Sequence, residues 1–146
     1  MCAYGHGGVR SLNTQGFIMA TIALTADNVE SAIEDNDIVL IDFWADWCGP
    51  CKMFGPIFEE ASGKHEDVTF AKCDTEAEQV VAAQFGIQSI PTVAAFRDQI
   101  LIFSQPGALP AEGLEELITQ IKALDMDDVR KKIAEAQAQA ELQGDD

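Results

Sequence analysis

Two cysteines separated by two residues, in Cys48-Gly49-Pro50-Cys51, are the residues of this sequence best suited to covalent chemistry. The reactive form of cysteine is the thiolate. It is favoured at a helix start, where free N–H groups and a partial positive charge lower the thiol pKa. The pair stands between an apolar run that reads as a strand and a segment with helical spacing. Cys48 is therefore expected at the helix start as the exposed nucleophile, and Cys51 one turn further in and less exposed. Such a pair suits thiol–disulfide exchange, in which one sulfur attacks and the other resolves. Zinc is the competing reading of a CxxC. A structural zinc needs four ligands, and the nearby candidates, Cys73 and His65, read more simply as a strand-end and a surface residue, so redox chemistry is favoured.

Asp42 is the second unusual residue. It sits inside Ile38-Val39-Leu40-Ile41-Asp42-Phe43-Trp44, where a carboxylate is costly unless it is partnered or protonated. Burial would raise its pKa and make it a candidate acid/base. A solvated strand end is the alternative, but the run stays apolar through Trp44. Lys72, on another expected strand, could be its charge partner or a plain surface lysine. Ile90-Pro91 is the third feature. The proline could simply open a strand, or it could follow a cis peptide beside the site.

The elements that must hold these residues follow from periodicity. Thr21 to Leu24, Ile38 to Trp44, Val68 to Cys73, Thr92 to Phe96 and Ile100 to Phe103 read as strands. Helical spacing covers Asp27 to Ile33 (with Thr25 as cap), Cys48 to Lys64, Glu76 to Phe85 up to Gly86, and a stretch marked by Leu114, Leu117, Ile118 and Ile121. Pro56, inside the second helix, predicts a kink. Arg97-Asp98-Gln99 is a hairpin-length link. The order is β, α, β, α, β, α, β, β, α. It implies an α/β sheet with parallel strands, helices on both faces and an antiparallel edge. Beyond Leu124, Asp125 or Asp127 could cap a further helix with a thin apolar stripe of Val129, Ile133, Ala136 and Ala140.

Composition bounds the rest. The 146 residues are 47% hydrophobic and 23% charged, ordinary for one soluble domain. There are 25 acidic against 9 basic side chains, a net charge of −16. That argues against nucleic acid or an anionic membrane as a partner. No stretch approaches the roughly 18 apolar residues of a membrane helix. The first 20 residues lack the features of a signal peptide, which points to the cytoplasm, where a close cysteine pair is more often redox or metal chemistry than a crosslink. Residues 1–19 form a glycine-rich leader, expected to be disordered or to lie upstream of a true start at Met19. Residues 20–124 form the domain and 125–146 an acidic, partly helical extension.

Taken together, Asp42-Phe43-Trp44-Ala45-Asp46-Trp47-Cys48-Gly49-Pro50-Cys51-Lys52-Met53 with Pro56, Ile90-Pro91-Thr92 and Pro106-Gly107-Ala108-Leu109 closely resemble the thioredoxin family, over about residues 20 to 124. The resemblance implies a thioredoxin fold, a mixed sheet flanked by helices, here with a C-terminal helical extension. It implies that Pro91 is cis and faces the cysteines, and that backbone near Ile90 pairs with an extended substrate. Trp47, Gly49, Pro50, Ile90, Gly107 and Ala108 would form the surrounding apolar surface. Asp42, acting through water with Lys72 nearby, would help deprotonate Cys51. The sequence departs from the family at Ser89, often glycine there, at the glycine-free hairpin Arg97-Asp98-Gln99, and at the extra Cys73.

The expected function is protein-disulfide reduction: Cys48 attacks a target disulfide and Cys51 releases the reduced target. The Gly-Pro between the cysteines resembles the reducing branch of the family. Electrons would come, by resemblance, from NADPH through a flavin-containing thioredoxin reductase, with no cofactor bound to this chain and the chain acting as a monomer. The rival readings are an oxidase or isomerase of exported proteins, and a non-redox binding module or holdase.

Overall fold

The computed structural model describes residues 11–12 and 18–143. In chain order the elements are β1 (Ser11–Leu12), β2 (Ile18–Met19), β3 (Thr21–Ala23), α1 (Val29–Glu34), β4 (Ile38–Trp44), α2 (Gly49–Lys64), β5 (Thr69–Asp74), α3 (Gln79–Gln84), β6 (Thr92–Arg97), β7 (Ile100–Pro106), α4 (Ala111–Ala123) and α5 (Met126–Gln143). The five strands from β3 onward form one sheet in the order β3-β5-β4-β6-β7. β3, β5 and β4 are parallel, β6 runs antiparallel to β4, and β7 runs antiparallel to β6. This is the mixed sheet that the periodicity predicted.

Alternation along the strands sorts their side chains onto two faces. Val39, Ile41 and Phe43 of β4 join Ala71 and Cys73 of β5 and Ala94 and Phe96 of β6 in one buried cluster. Val29 and Ile33 of α1 and Phe85 at the end of α3 pack on it. The intervening residues belong to the other face, which α2 covers: the rings of Phe58 and Phe70 meet edge to face at 5.1 Å. Asp42 and Lys72 are register partners across β4 and β5, so both fall on the α2 side.

Several boundaries differ from the periodicity, each for a local reason. α1 starts at Val29 rather than Asp27 because residues 25–28 form a locked turn. Asn28 Oδ1 accepts from the Thr25 N–H at 2.7 Å, and Thr25 Oγ1 accepts from the Asp27 N–H at 3.2 Å. α3 starts at Gln79 rather than Glu76 because Asp74 Oδ1 takes the N–H groups of Glu76 and Ala77, at 2.9 and 3.3 Å. A short acidic side chain here competes with the helix for backbone donors. The hairpin between β6 and β7 turns on Asp98 and Gln99, both at positive φ (52° and 69°), as a two-residue turn that follows the strand twist requires. α2 runs through Pro56 without ending.

Of the leader, residues 1–10 and 13–17 lie outside the described residues, and with them most of the expectation made for that segment. Ser11–Leu12 and Ile18–Met19 pair antiparallel, a ladder the sequence reading did not assign. The chain divides into two compact units inside α4, between Glu115 and Glu116. In the second unit Leu117, Ile118, Ile121 and Met126 are buried. Asp125, not Asp127, caps α5 by accepting from the N–H groups of Asp127 and Asp128. Among the described residues no helix is long and apolar enough to cross a membrane.

Candidate active site

The strand–helix junction places the cysteines. Cys48 ends the loop after β4 in extended conformation and is the N-cap of α2. Its Sγ accepts a hydrogen bond from the Cys51 N–H at 3.2 Å. A cap side chain normally offers oxygen to that third N–H of a helix; here sulfur takes its place. Pro50 falls in the first turn, where its missing N–H costs nothing. Negative charge on Cys48 Sγ is thus met by a backbone donor and the positive end of the helix. Cys48 and Cys51 form a disulfide with Cα atoms 5.3 Å apart.

The expected difference in exposure is not present in this disulfide form. Cys48 is 3% exposed and Cys51 5%. What distinguishes them in this form is position on the helix: Cys48 is the cap whose Sγ receives an N–H, and Cys51 supplies it.

Asp42 is fully buried in mid-strand, which removes the solvated strand-end alternative. No protein group hydrogen-bonds either of its oxygens. Burial pushes its pKa up to about 7, with the nearby Lys72 charge opposing the rise and Glu59 adding to it. Lys72 is not hydrogen-bonded to Asp42. Its Nζ donates to Glu59 Oε2 of α2 at 2.9 Å and lies 5.3 Å from the centre of the Trp44 ring. The expected Asp42–Lys72 pairing is therefore one of register and field rather than contact. A cavity of about 230 Å³ beside these groups is lined by Trp44, Cys51, Gly55, Glu59 and Lys72, among others.

On the other side of the junction Trp47 is 69% exposed. Its indole N–H donates to Glu76 Oε2 at 3.2 Å. The loop carrying Glu76 is tied to β4 by Thr75, whose N–H and Oγ1 both donate to the Trp44 carbonyl at 2.9 and 3.0 Å. Trp47 and Ile90 line an open cavity of about 520 Å³ together with Thr75, Gln79, Ala82, Ala83, Ile87, Gln88 and Ser89. Gly49, Pro50, Gly107 and Ala108 are exposed but are not part of its wall. The Ile90-Pro91 peptide is cis, and Gly107 sits at φ 111°. The Gly107 N–H donates to the Pro91 carbonyl at 2.8 Å, which joins the two loops. The positive φ explains the glycine there.

Sequence reasoning missed Glu59, Glu76 and the α3 residues of this cavity. Their types are ordinary for helix and loop surfaces, and only the docking of α2 and the β5–α3 loop gives them partners. Cys73 is buried, and loss of water around it pushes its thiol up to about 11, so it stays protonated near neutral pH. Among the described residues there is no group of three or more His, Cys, Asp or Glu able to hold a metal ion.

Comparison with known proteins agrees with this geometry. A family model described as thioredoxin matches residues 20–120. A Streptomyces coelicolor protein assigned as thioredoxin 2 is 53% identical over 83% of this chain and 90% of its own length. The thioredoxin of Alicyclobacillus acidocaldarius is 41% identical over 70% of this chain and 98% of its own. Among solved structures, a mutant thioredoxin from Halobacterium salinarum superposes with a TM-score of 0.66 at 31% identity, covering 71% of this chain and 92% of that one.

Proposed function

Because this chain belongs to the thioredoxin family, a family of thiol–disulfide oxidoreductases, we propose how its residues divide the work of reducing protein disulfides. The redox pair is Cys48 and Cys51. In the reduced protein Cys48 is the nucleophile: its thiolate attacks one sulfur of a target disulfide, and the other target sulfur leaves as a thiolate that takes up a proton. The mixed disulfide is then resolved by Cys51. Asp42, accepting the Cys51 proton through water, generates the second thiolate. That thiolate attacks Cys48 Sγ, the bond to the target breaks, and the target leaves with both electrons. The Cys48–Cys51 disulfide remains.

The observation that carries this assignment is the Cys51 N–H bonded to Cys48 Sγ at the helix cap. It favours a thiolate on Cys48 and not on Cys51, so the first sulfur attacks. Asp42 supports the second step because a carboxyl titrating at about 7 can exchange a proton near neutral pH. The exposed Trp47 and the backbone at Ile90, with Gly49, Pro50, Pro91, Gly107 and Ala108 around the disulfide, receive an extended target segment. Electrons return from NADPH through a flavin-containing thioredoxin reductase, and the protein works as a monomer in a reducing compartment, the cytoplasm.

The test is a redox titration of the Cys48/Cys51 couple against glutathione, paired with a Cys51→Ser trap. A potential more reducing than the glutathione pool and accumulation of mixed disulfides on Cys48 are expected. A more oxidising couple would turn the reading to an oxidase, and the absence of trapped targets would remove Cys51 from the resolving role.

A further inference from the structure

Lys72 presents a contradiction in charge. It is the register partner of Asp42 and lies on the same face of the sheet, yet no protein group hydrogen-bonds the Asp42 carboxyl. The ammonium is instead held by Glu59 at 2.9 Å. This pair is only 23% and 20% exposed at the side chains, so solvent screens it less than it would a surface pair. The Trp44 ring lies against the same ammonium, 5.3 Å away. On the helix side, a Cβ added to Gly55 would stand 3.6 Å from Lys72 Nζ. Glu59, Trp44 and Gly55 thus confine the cation at the wall of the cavity that Cys51 also lines.

We propose that Glu59 is a positioning residue for the exchange reaction: its carboxylate anchors Lys72 on the cavity wall and withholds the ammonium from Asp42, so that the buried carboxyl can hold and release a proton. An ammonium released from Glu59 could swing toward its register partner, and a cation closer to a carboxyl favours the ionised form. The field of Glu59 acts in the same direction as the anchoring, since its negative charge raises the Asp42 pKa while Lys72 lowers it. The charged groups acting on Asp42 are Lys72 from β5 and Glu59 from α2; Cys51 of α2 lines the same cavity as both, and Cys73 lies on the opposite face of the sheet. From β6 its register partner is Val93, which carries no charge. The proposal rests on Asp42 as the proton-transfer group, and the experiment separates the two.

The experiment follows the Asp42 carboxyl carbon by NMR across pH in the oxidised protein, where Cys48 and Cys51 do not titrate. Glu59→Gln, which keeps the side-chain shape, should lower the Asp42 midpoint by about half a pH unit or more. Glu59→Ala should shift it in the same direction, and Lys72→Met should raise it. On the Lys72→Met background, Glu59→Gln should lose more than half of its effect. In the reduced protein, the pH profile for resolving a Cys48 mixed disulfide should move down with the midpoint. An unchanged midpoint in Glu59→Gln, or an equal shift with and without Lys72, overturns the proposal. If Asp42→Asn slows resolution while Glu59→Gln leaves the midpoint in place, only the Glu59 role fails. If Asp42→Asn resolves at the wild-type rate, both roles fail.

Discussion

A carboxyl at position 42 has no exposed surface and no hydrogen-bond donor from the protein, so its charged form is disfavoured and its pKa stands near 7 instead of 3.8. The sign of the consequence follows from proton counting. Between those values the unfolded chain has released a proton that the folded one keeps, so stability falls as pH rises from about 4 to about 7 and levels off above. The span corresponds to roughly 4 kcal/mol at 1.36 kcal/mol per pH unit. Asp42→Asn removes this penalty, less the cost of a buried amide. Urea unfolding should therefore show a larger stabilisation by the substitution at pH 8 than at pH 5; an equal difference at both would mean that the carboxyl ionises as easily folded as unfolded. Asp42 itself was legible, because a charge inside an apolar run is conspicuous. Glu59 was not. It stands beside Glu60 in a helix where acidic residues are unremarkable, and its meaning comes from a lysine on a distant strand.

Elements were legible wherever their pattern is long and strict. β4 was bounded to the residue because seven consecutive positions are apolar or anomalous. α2 was found by spacing and by the cysteine pair at its start. The shorter α1 and α3 were overestimated, since Thr25, Asn28 and Asp74 spend backbone donors on turns before the helix begins. The hairpin between β6 and β7 offers a test at this scale. Gln99 holds a φ of 69°, a left-handed conformation that costs a side-chain-bearing residue roughly 1 kcal/mol. Gln99→Gly should raise the unfolding free energy by about 0.5 kcal/mol, after the entropy glycine gains in the unfolded chain is subtracted. A loss of stability would mean that the Gln99 side chain has contacts worth more than the strain.

At the scale of the molecule, the net charge of −16 sets a field of one sign. Self-repulsion in such a chain opposes compaction, and salt relieves it as the Debye length falls from about 30 Å at 0.01 M to about 8 Å at 0.15 M. The thermal midpoint should rise over that range of sodium chloride; a fall would show that attractive pairs such as Lys72–Glu59 and Lys132–Asp128 outweigh the repulsion. The same charge bears on partners, because anionic surfaces are repelled.

The sequence by itself determined the chemistry available: two thiols at helix-start spacing, a carboxyl in an apolar strand, a proline before a strand, and an element order that makes a mixed sheet. These are short-range properties, encoded in neighbouring residues and their period. The tertiary structure decided which groups meet. It closed the disulfide and buried both of its cysteines, set the Ile90-Pro91 peptide cis, took Lys72 away from Asp42 and gave it to Glu59, and bound Trp47 to Glu76. Burial and Coulomb interaction depend on distance through space, and the residues concerned lie on elements that only folding brings together.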